Sequence, residues 1–466
     1  MSTDRAAVIW TRLVTRPLRM GQLYLTDAEC RFTYDEDYLD SGLPGLGAIY
    51  SPGVFGTRTI VRARTESFDF LPPIQSLVPP RGERNFQRKL ILDYLAADGI
   101  TPTAGLDTDW EILKVSGHGG IGHLDLFATD EKAVEWYAAP ARPELHDITG
   151  TPGFSLKDYL SWFDRDAESL IRIIGPTPSV GGAIPKLLVT MPETGWDGRI
   201  GLPARFGTQG VVDVVLKFEQ PTVYPGLVEL EALALAVHRE AGFDVPRSWQ
   251  VEFNGVPALA VERFDRDANR NPLFTETLYS VLASGDSRIT HNHSYSFERI
   301  GRAIERSPID IVTDREAGKR HLLWRLVMAI LTGNGDLHME NLSVVQREGE
   351  LSFSPVYDPT PMRAYSIHNM LAVMPFGNYG EVDERTAEPV RLRQGIRNLA
   401  RHLGIPPAVR DELLEQSLRA TQNYAERVRS LGTLPEQNRE NLGRILDGVM
   451  GAARLTGCPG TAGLPD

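Results

Sequence analysis

Cysteine is nearly absent. The 466 residues hold only Cys30 and Cys458, too few for a disulfide framework, and no Cys/His spacing of a structural zinc knuckle accompanies them. Long apolar runs are also missing: none approaches the ~20 residues needed to cross a bilayer. The opening MSTDRAAVIWTRL has no apolar signal-peptide core, so a cytoplasmic protein without a membrane segment is expected. Positive charge is in deficit, with 49 Lys plus Arg against 61 Asp plus Glu and a net charge of −12, which argues against a nucleic-acid coat. Repeats and low-complexity tracts are absent. What is present is an ordinary globular mixture, 42% hydrophobic and 24% charged, in a chain too long for one core, so two or three compact domains are expected.

Up to about residue 145 the chain reads as short strands, Ala6–Trp10 and Gln22–Leu25 among them, punctuated by Pro/Gly clusters such as the stretch 41–47. One helix is expected there, over Arg88–Ala97, where Leu90, Ile91, Tyr94 and Leu95 share a face. Pro140, Pro143 and Pro152 mark a linker. Beyond it come a strand over Val211–Glu219, a helix from about Gly226 to Ala241, a strand pair through Asn254–Arg266, and a mostly helical remainder. The strongest helix there is Glu316–Leu331.

The informative loop follows that helix. Gly333-Asn-Gly-Asp-Leu-His-Met-Glu-Asn341 leads into a hairpin of Leu342–Val345 and Leu351–Val356, which ends at Asp358. Asn-Gly-Asp is also a common turn. Here, however, Asp336, Asn341 and Asp358 can bring three hard oxygen donors to one point, the set that suits Mg²⁺ held against nucleotide phosphates. Lys217 lies inside an otherwise apolar strand, where an unpaired ammonium is costly. A phosphate would supply its anion, and Glu231, or less readily Glu229, would hold it in place. Upstream, Gly181 and Gly182 in Ser179-Val-Gly-Gly-Ala-Ile-Pro-Lys186 let backbone N–H groups approach phosphates, with Lys186 adding charge.

Taken in order, SVGGAIPK (179–186), VVLKFE (214–219), VERFDR (261–266), GNGDLHMEN (333–341) and SPVYDP (354–359) resemble the HipA-type serine/threonine kinases of bacterial toxin–antitoxin systems. The likeness covers roughly residues 170–380 and is thin over the first 145. It implies an α+β, two-lobed protein-kinase-like fold: a β-rich N-terminal subdomain (1–145), a kinase N-lobe (146–265) and an α-helical C-lobe with the catalytic loop (266–466). Carried over by position, it makes Asp336 the catalytic aspartate, with His338 shaping its turn, and Asn341 and Asp358 the metal ligands. Lys217 becomes the contact to ATP phosphates, beside a loop of Ser179, Val180, Gly181, Gly182 and Lys186. Glu262 and Phe264 become the hinge whose backbone receives adenine, and Ser179 a site of autophosphorylation that ejects the loop and switches the kinase off.

The implied activity is ATP- and Mg²⁺-dependent phosphorylation of a protein, with a translation protein such as an aminoacyl-tRNA synthetase as the substrate class. The implied partner is a helix-turn-helix antitoxin, through which alone DNA would be engaged. The alternatives are a kinase-fold binding module without catalysis and a small-molecule phosphotransferase. One departure stands out: where the family carries a Leu-Pro-Asp-Gly-Trp-Gly-Arg type motif, this chain reads Leu77-Val-Pro-Pro-Arg-Gly-Glu-Arg84.

Three weaker signals are set aside. Gly117-His-Gly-Gly-Ile-Gly122 fits a dinucleotide pattern, but a strand-like His123–Phe127 follows where a helix is required, so a turn between strands is expected. His291, His293 and His321 lack a carboxylate or cysteine at ligand spacing and are expected in loops or solvent. Arg393, Arg397 and Arg401 form a basic helical stripe expected to be solvated.

Overall fold

The computed structural model describes residues 5–13, 16–82, 85–139, 143–148, 178–182, 184–383 and 386–454. Glu83 and Arg84 of the divergent motif, Pro140 and Pro152 of the expected linker, Ala183 of the glycine loop and Cys458 lie outside them.

The N-terminal segment builds an antiparallel five-stranded sheet from Arg5–Thr11, Leu18–Leu25, Glu29–Tyr34, Ile60–Ala63 and Leu124–Phe127, with the last strand beside the first. Alternation places Leu23, Leu25 and Phe32 in its core while Tyr24 stays exposed. The expectation of a single helix in this segment is corrected. Phe86–Ala97 is joined by Leu106–Ser116 and Asp130–Ala138. The apolar pair Ile112–Leu113 is part of the buried face of a helix that also carries Trp110, and Thr129 caps the next helix by accepting from Lys132 N–H. The glycine turn 117–122 therefore joins a helix to a strand, not two strands.

A second antiparallel sheet has the order Ser248–Phe253, Val256–Glu262, Val211–Phe218, Lys186–Pro192. Val212, Val214, Leu216 and Phe218 fill one face of it, leaving Asp213, Val215 and Lys217 on the other. His146–Asp147 pairs with Arg199–Ile200 in a two-stranded sheet, and the described chain beyond residue 275 is mainly helical apart from a small sheet of Thr275–Thr277, Ser343–Arg347 and Glu350–Phe353. The second strand of the expected hairpin stops at Phe353 rather than Val356, because Pro355 has no N–H for the ladder. Helix Arg315–Thr332 carries the core of this region through Leu322, Leu323, Leu326 and Ile330. Among the described residues no helix is long and apolar enough to cross a membrane.

The N-terminal segment packs on both neighbours. Ala48 and Phe68 join the helical core, and Phe86 and Leu90 join the core of the second sheet. At the first junction Glu276, 7% exposed, accepts from Ala48 N–H at 2.7 Å and from the Ser280 hydroxyl at 2.6 Å. Burial pushes its carboxyl up to about 7, against the pull of those two bonds. The folded value lies above the ~4.3 of an unfolded glutamate. Its contribution to stability is therefore full at low pH and is lost as pH rises through about 7. Glu276→Gln should raise the stability at pH 8 relative to that at pH 5, measured by urea unfolding, by an amount on the order of 2 kcal/mol. An unchanged difference would show that this carboxyl does not drive it.

Candidate active site

Strand register builds the cationic side of the site. Lys186 sits directly across from Lys217, an arrangement that like charges disfavour unless an anion lies between them. That anion is Asp358: its Oδ1 accepts from Lys217 Nζ at 2.9 Å and its Oδ2 from Lys186 Nζ at 3.0 Å. Glu231, on helix Leu227–Glu240, is the second partner of Lys217 and also accepts from the Thr360 hydroxyl at 2.8 Å. Glu229 is elsewhere, accepting from the backbone N–H and hydroxyl of Thr433. Burial works against the Lys217 charge, but Asp358 and Glu231 more than offset it and push its pKa up to about 12. Burial would raise Asp358, yet the two lysines hold it far below the usual carboxylate range. Its backbone is left-handed, φ 50°, a conformation that aspartate tolerates better than most residues.

The opposing side is the loop after helix Arg315–Thr332, which ends on Gly333 in the left-handed region (φ 73°). Asn334, 2% exposed, accepts from Asp336 N–H at 2.8 Å and fixes the turn. Asn341 Nδ2 donates to the Asp336 carbonyl at 3.0 Å, which leaves its side-chain oxygen as an acceptor. The Asp336 carboxylate is 41% exposed, 3.9 Å from His338 Nε2. Burial and then Asp358 raise its pKa, against His338, His368 and Lys186. Asp358, Asn341 and Asp336 thus offer hard oxygen donors in one region. Among the described residues no three carboxylate, imidazole or thiolate groups form a metal cage, so a cation here would need oxygen donors from a ligand such as a phosphate.

The glycine loop closes the third side. Gly181 O accepts from Lys186 Nζ at 2.9 Å. Gly182 has φ 103°, and a Cβ there would lie 2.6 Å from Lys186 Nζ, so only glycine fits. Ser179 is buried. The segment is gripped from the N-terminal helix by Gln87, whose Nε2 donates to Pro178 O at 3.1 Å while its Oε1 accepts from Val180 N–H at 2.8 Å. Nothing local in the sequence marks Gln87, because its partners are more than 90 positions away. Gln87→Ala should speed hydrogen exchange at Val180 by roughly tenfold or more, the cost of one unsatisfied N–H. Gln87→Glu, which can accept but not donate, should fall between it and wild type; equal exchange in all three would exclude the grip.

Phe264 stacks on Tyr357 with ring centroids 5.1 Å apart, tying the strand end Glu262 to the approach to Asp358. The Glu262 side chain pairs outward with Arg247 at 2.7 and 2.8 Å. A cavity of about 270 Å³ opens beside this corner, lined by Arg247, Glu262, Phe264 and Pro355 but by none of Lys217, Asp336, Asn341 or Asp358. The remaining histidines divide. His291 and His293 neighbour each other, whereas His321, expected in a loop or solvent, lies on the long helix against Phe353 and Phe243.

Against known structures, the fold matches a chain of the complex described as the Shewanella oneidensis toxin–antitoxin system HipA, HipB and its operator DNA. The match covers 94% of this chain and 95% of that one, at a TM-score of 0.55 and 17% identity. In sequence, the chain is 29% identical over 197 residues to a Haemophilus influenzae protein named "Putative kinase", covering 53% of it. It is 30% identical over 179 residues to "Putative kinase Y4dM" of Sinorhizobium fredii, covering 39% of it. The chain thus spans about half or less of the length of these curated relatives. The family model described as HipA-like C-terminal domain matches residues 178–425, the stretch that contains both lysines, the glycine loop, Asp336, Asn341 and Asp358, and the chain belongs to that family.

Proposed function

We propose that the chain is an ATP- and Mg²⁺-dependent protein serine/threonine kinase of HipA type. The observation that carries the reading is the convergence of Lys217 and Lys186 on Asp358, opposite a loop that presents Asp336 and Asn341. A bound Mg²⁺–nucleotide would supply the transferable phosphoryl group and neutralise its charge. Asp358 and Asn341 would hold the metal, and the two lysines would exchange part of their carboxylate pairing for phosphate oxygens. Asp336 orients the accepting hydroxyl and takes its proton, a role helped by the upward shift that burial gives its carboxyl. Glu231 keeps Lys217 extended, and His338 braces the turn.

At the hinge, the N–H groups of Glu262 and Arg263 are used by Arg247 O and Asp213 O, so adenine would be read by Glu262 C=O and Phe264 N–H. Ser179, buried at the start of the glycine loop, is the proposed site of autophosphorylation. The match to a HipA–HipB–DNA complex supports a toxin held by a helix-turn-helix antitoxin, with DNA contacted through that partner and a translation protein as substrate.

The test is incubation with labelled ATP and Mg²⁺ followed by mass spectrometry. Label on Ser179 and on a protein acceptor is expected; label on neither, with ATP bound, would leave a binding module, and label on a small molecule alone would leave a metabolite kinase.

A further inference from the structure

The helical region carries a second concave site that the phosphoryl chemistry does not use. A groove of about 620 Å³ runs between the segment 369–379 and helix Glu436–Arg454. Its apolar lining includes Leu371, Leu392 and Val449, with Tyr379 at one side and Arg363 and Arg444 supplying charge.

Arg363 is the informative residue. Its Nε and Nη1 are buried and have no hydrogen-bond partner, and among the described residues no carboxylate pairs with it or with Arg444. Burial lowers its pKa, and the only opposing group is the Tyr379 hydroxyl. A half-buried guanidinium with unused donors is costly to keep and is repaid when an anion arrives. In a chain of net charge −12, a guanidinium in a groove with no carboxylate partner among the described residues is a place that suits an anion.

The groove also abuts the catalytic turn. Arg363 N–H donates to Gly333 O at 3.1 Å, and its Cγ lies 2.9 Å from where a Cβ on Gly335 would stand, one residue before Asp336. Ile367 and Met370, 69% and 59% exposed, lie on the same stretch of chain.

We infer that this groove receives an extended, acidic and apolar segment of the protein substrate, a carboxylate of that segment pairing with Arg363 while its apolar side chains lie on Leu371 and Val449 and its hydroxyl residue reaches Asp336. The assignment rests on the kinase reading for the role of Asp336, but the groove's binding chemistry does not. An acidic peptide with apolar side chains fits better than nucleic acid because the charged lining residues are arginines while much of the floor, Leu371, Leu392, Ile445 and Val449, is apolar.

The experiment has two arms on the full chain. In the first, without ATP, the labelled protein is bound to an array of serine-centred peptides in which each flanking position is set to Glu, Lys, Leu or Ala. In the second, ATP turnover is followed with the same peptides. Wild type should favour peptides with Glu at one fixed offset and Leu near it. Arg363→Gln should lose at least tenfold of that preference, read as the ratio of Glu-containing to all-Ala peptide in both arms, and Arg363→Lys should recover part of it. Acidic binding without turnover would keep the groove and remove the kinase reading. Turnover without acidic preference, a preference for Lys, tighter binding of single-stranded DNA than of any peptide, or a preference unaltered in Arg363→Gln would overturn the groove assignment.

Discussion

Asp336→Ala should lower phosphoryl transfer by roughly 10²–10⁴-fold, the range for removing a positioned general base. ATP affinity and the thermal midpoint should stay near wild type. The separation follows from where the carboxylate is. It is 41% exposed, and the turn around it is held by backbone and by the side chains of Asn334 and Asn341, not by its own oxygens. Asp336→Asn should be equally inactive, because the amide is isosteric but cannot accept the hydroxyl proton. Single-turnover kinetics beside ATP binding by calorimetry would check this. If Asp336→Ala keeps more than a tenth of the activity, the accepting hydroxyl is oriented by another group.

Removing Lys217 should be the most damaging change to the fold around the site. Lys217→Met leaves Glu231, 1% exposed, with the Thr360 hydroxyl as its remaining side-chain partner, and breaking a buried ion pair in this way costs about 3–5 kcal/mol. Lys217→Met/Glu231→Leu should recover most of that stability in urea unfolding while leaving ATP binding impaired, since an apolar pair packs but attracts no phosphate. A double variant no more stable than the single one would mean that Glu231 does not depend on the lysine.

The same cluster sets a pH signature. The raised Lys217 value keeps its contribution complete below the ordinary lysine pKa of ~10.4, and it is lost as pH rises through about 12. The depressed Asp358 value keeps its contribution complete above the ordinary ~3.9, and it is lost as pH falls below that. Neither group titrates near neutrality, so any slope in stability between pH 5 and pH 8 must come from elsewhere: Glu276 lowers stability as pH rises, whereas His118, His123, His238 and His321, all lowered by burial, raise it as pH climbs to about 6.5.

Much of this arrangement is legible in one dimension because its signals are local. A lysine in a run of valines, two adjacent glycines, and an Asp and an Asn five positions apart on one turn all express constraints that act within a few residues. Helix Arg315–Thr332 and the strand around Lys217 appear where their periodicity places them. The helices Leu106–Ser116 and Asp130–Ala138 are harder to see, because short apolar pairs such as Ile112–Leu113 suit a strand and a helix face equally.

By itself, the order of residues determined which chemical groups the site contains and the loop, strand and turn on which each is carried, since those are matters of side-chain type and short-range backbone preference. Only the tertiary structure decided that Lys186 and Lys217 face each other across a register and share Asp358, that Gln87 grips the glycine loop from a helix of the N-terminal segment, and that Arg363 is left without a counter-charge. Those outcomes depend on strand pairing and on packing between segments tens to hundreds of positions apart, and no local preference encodes which distant backbone will meet which side chain.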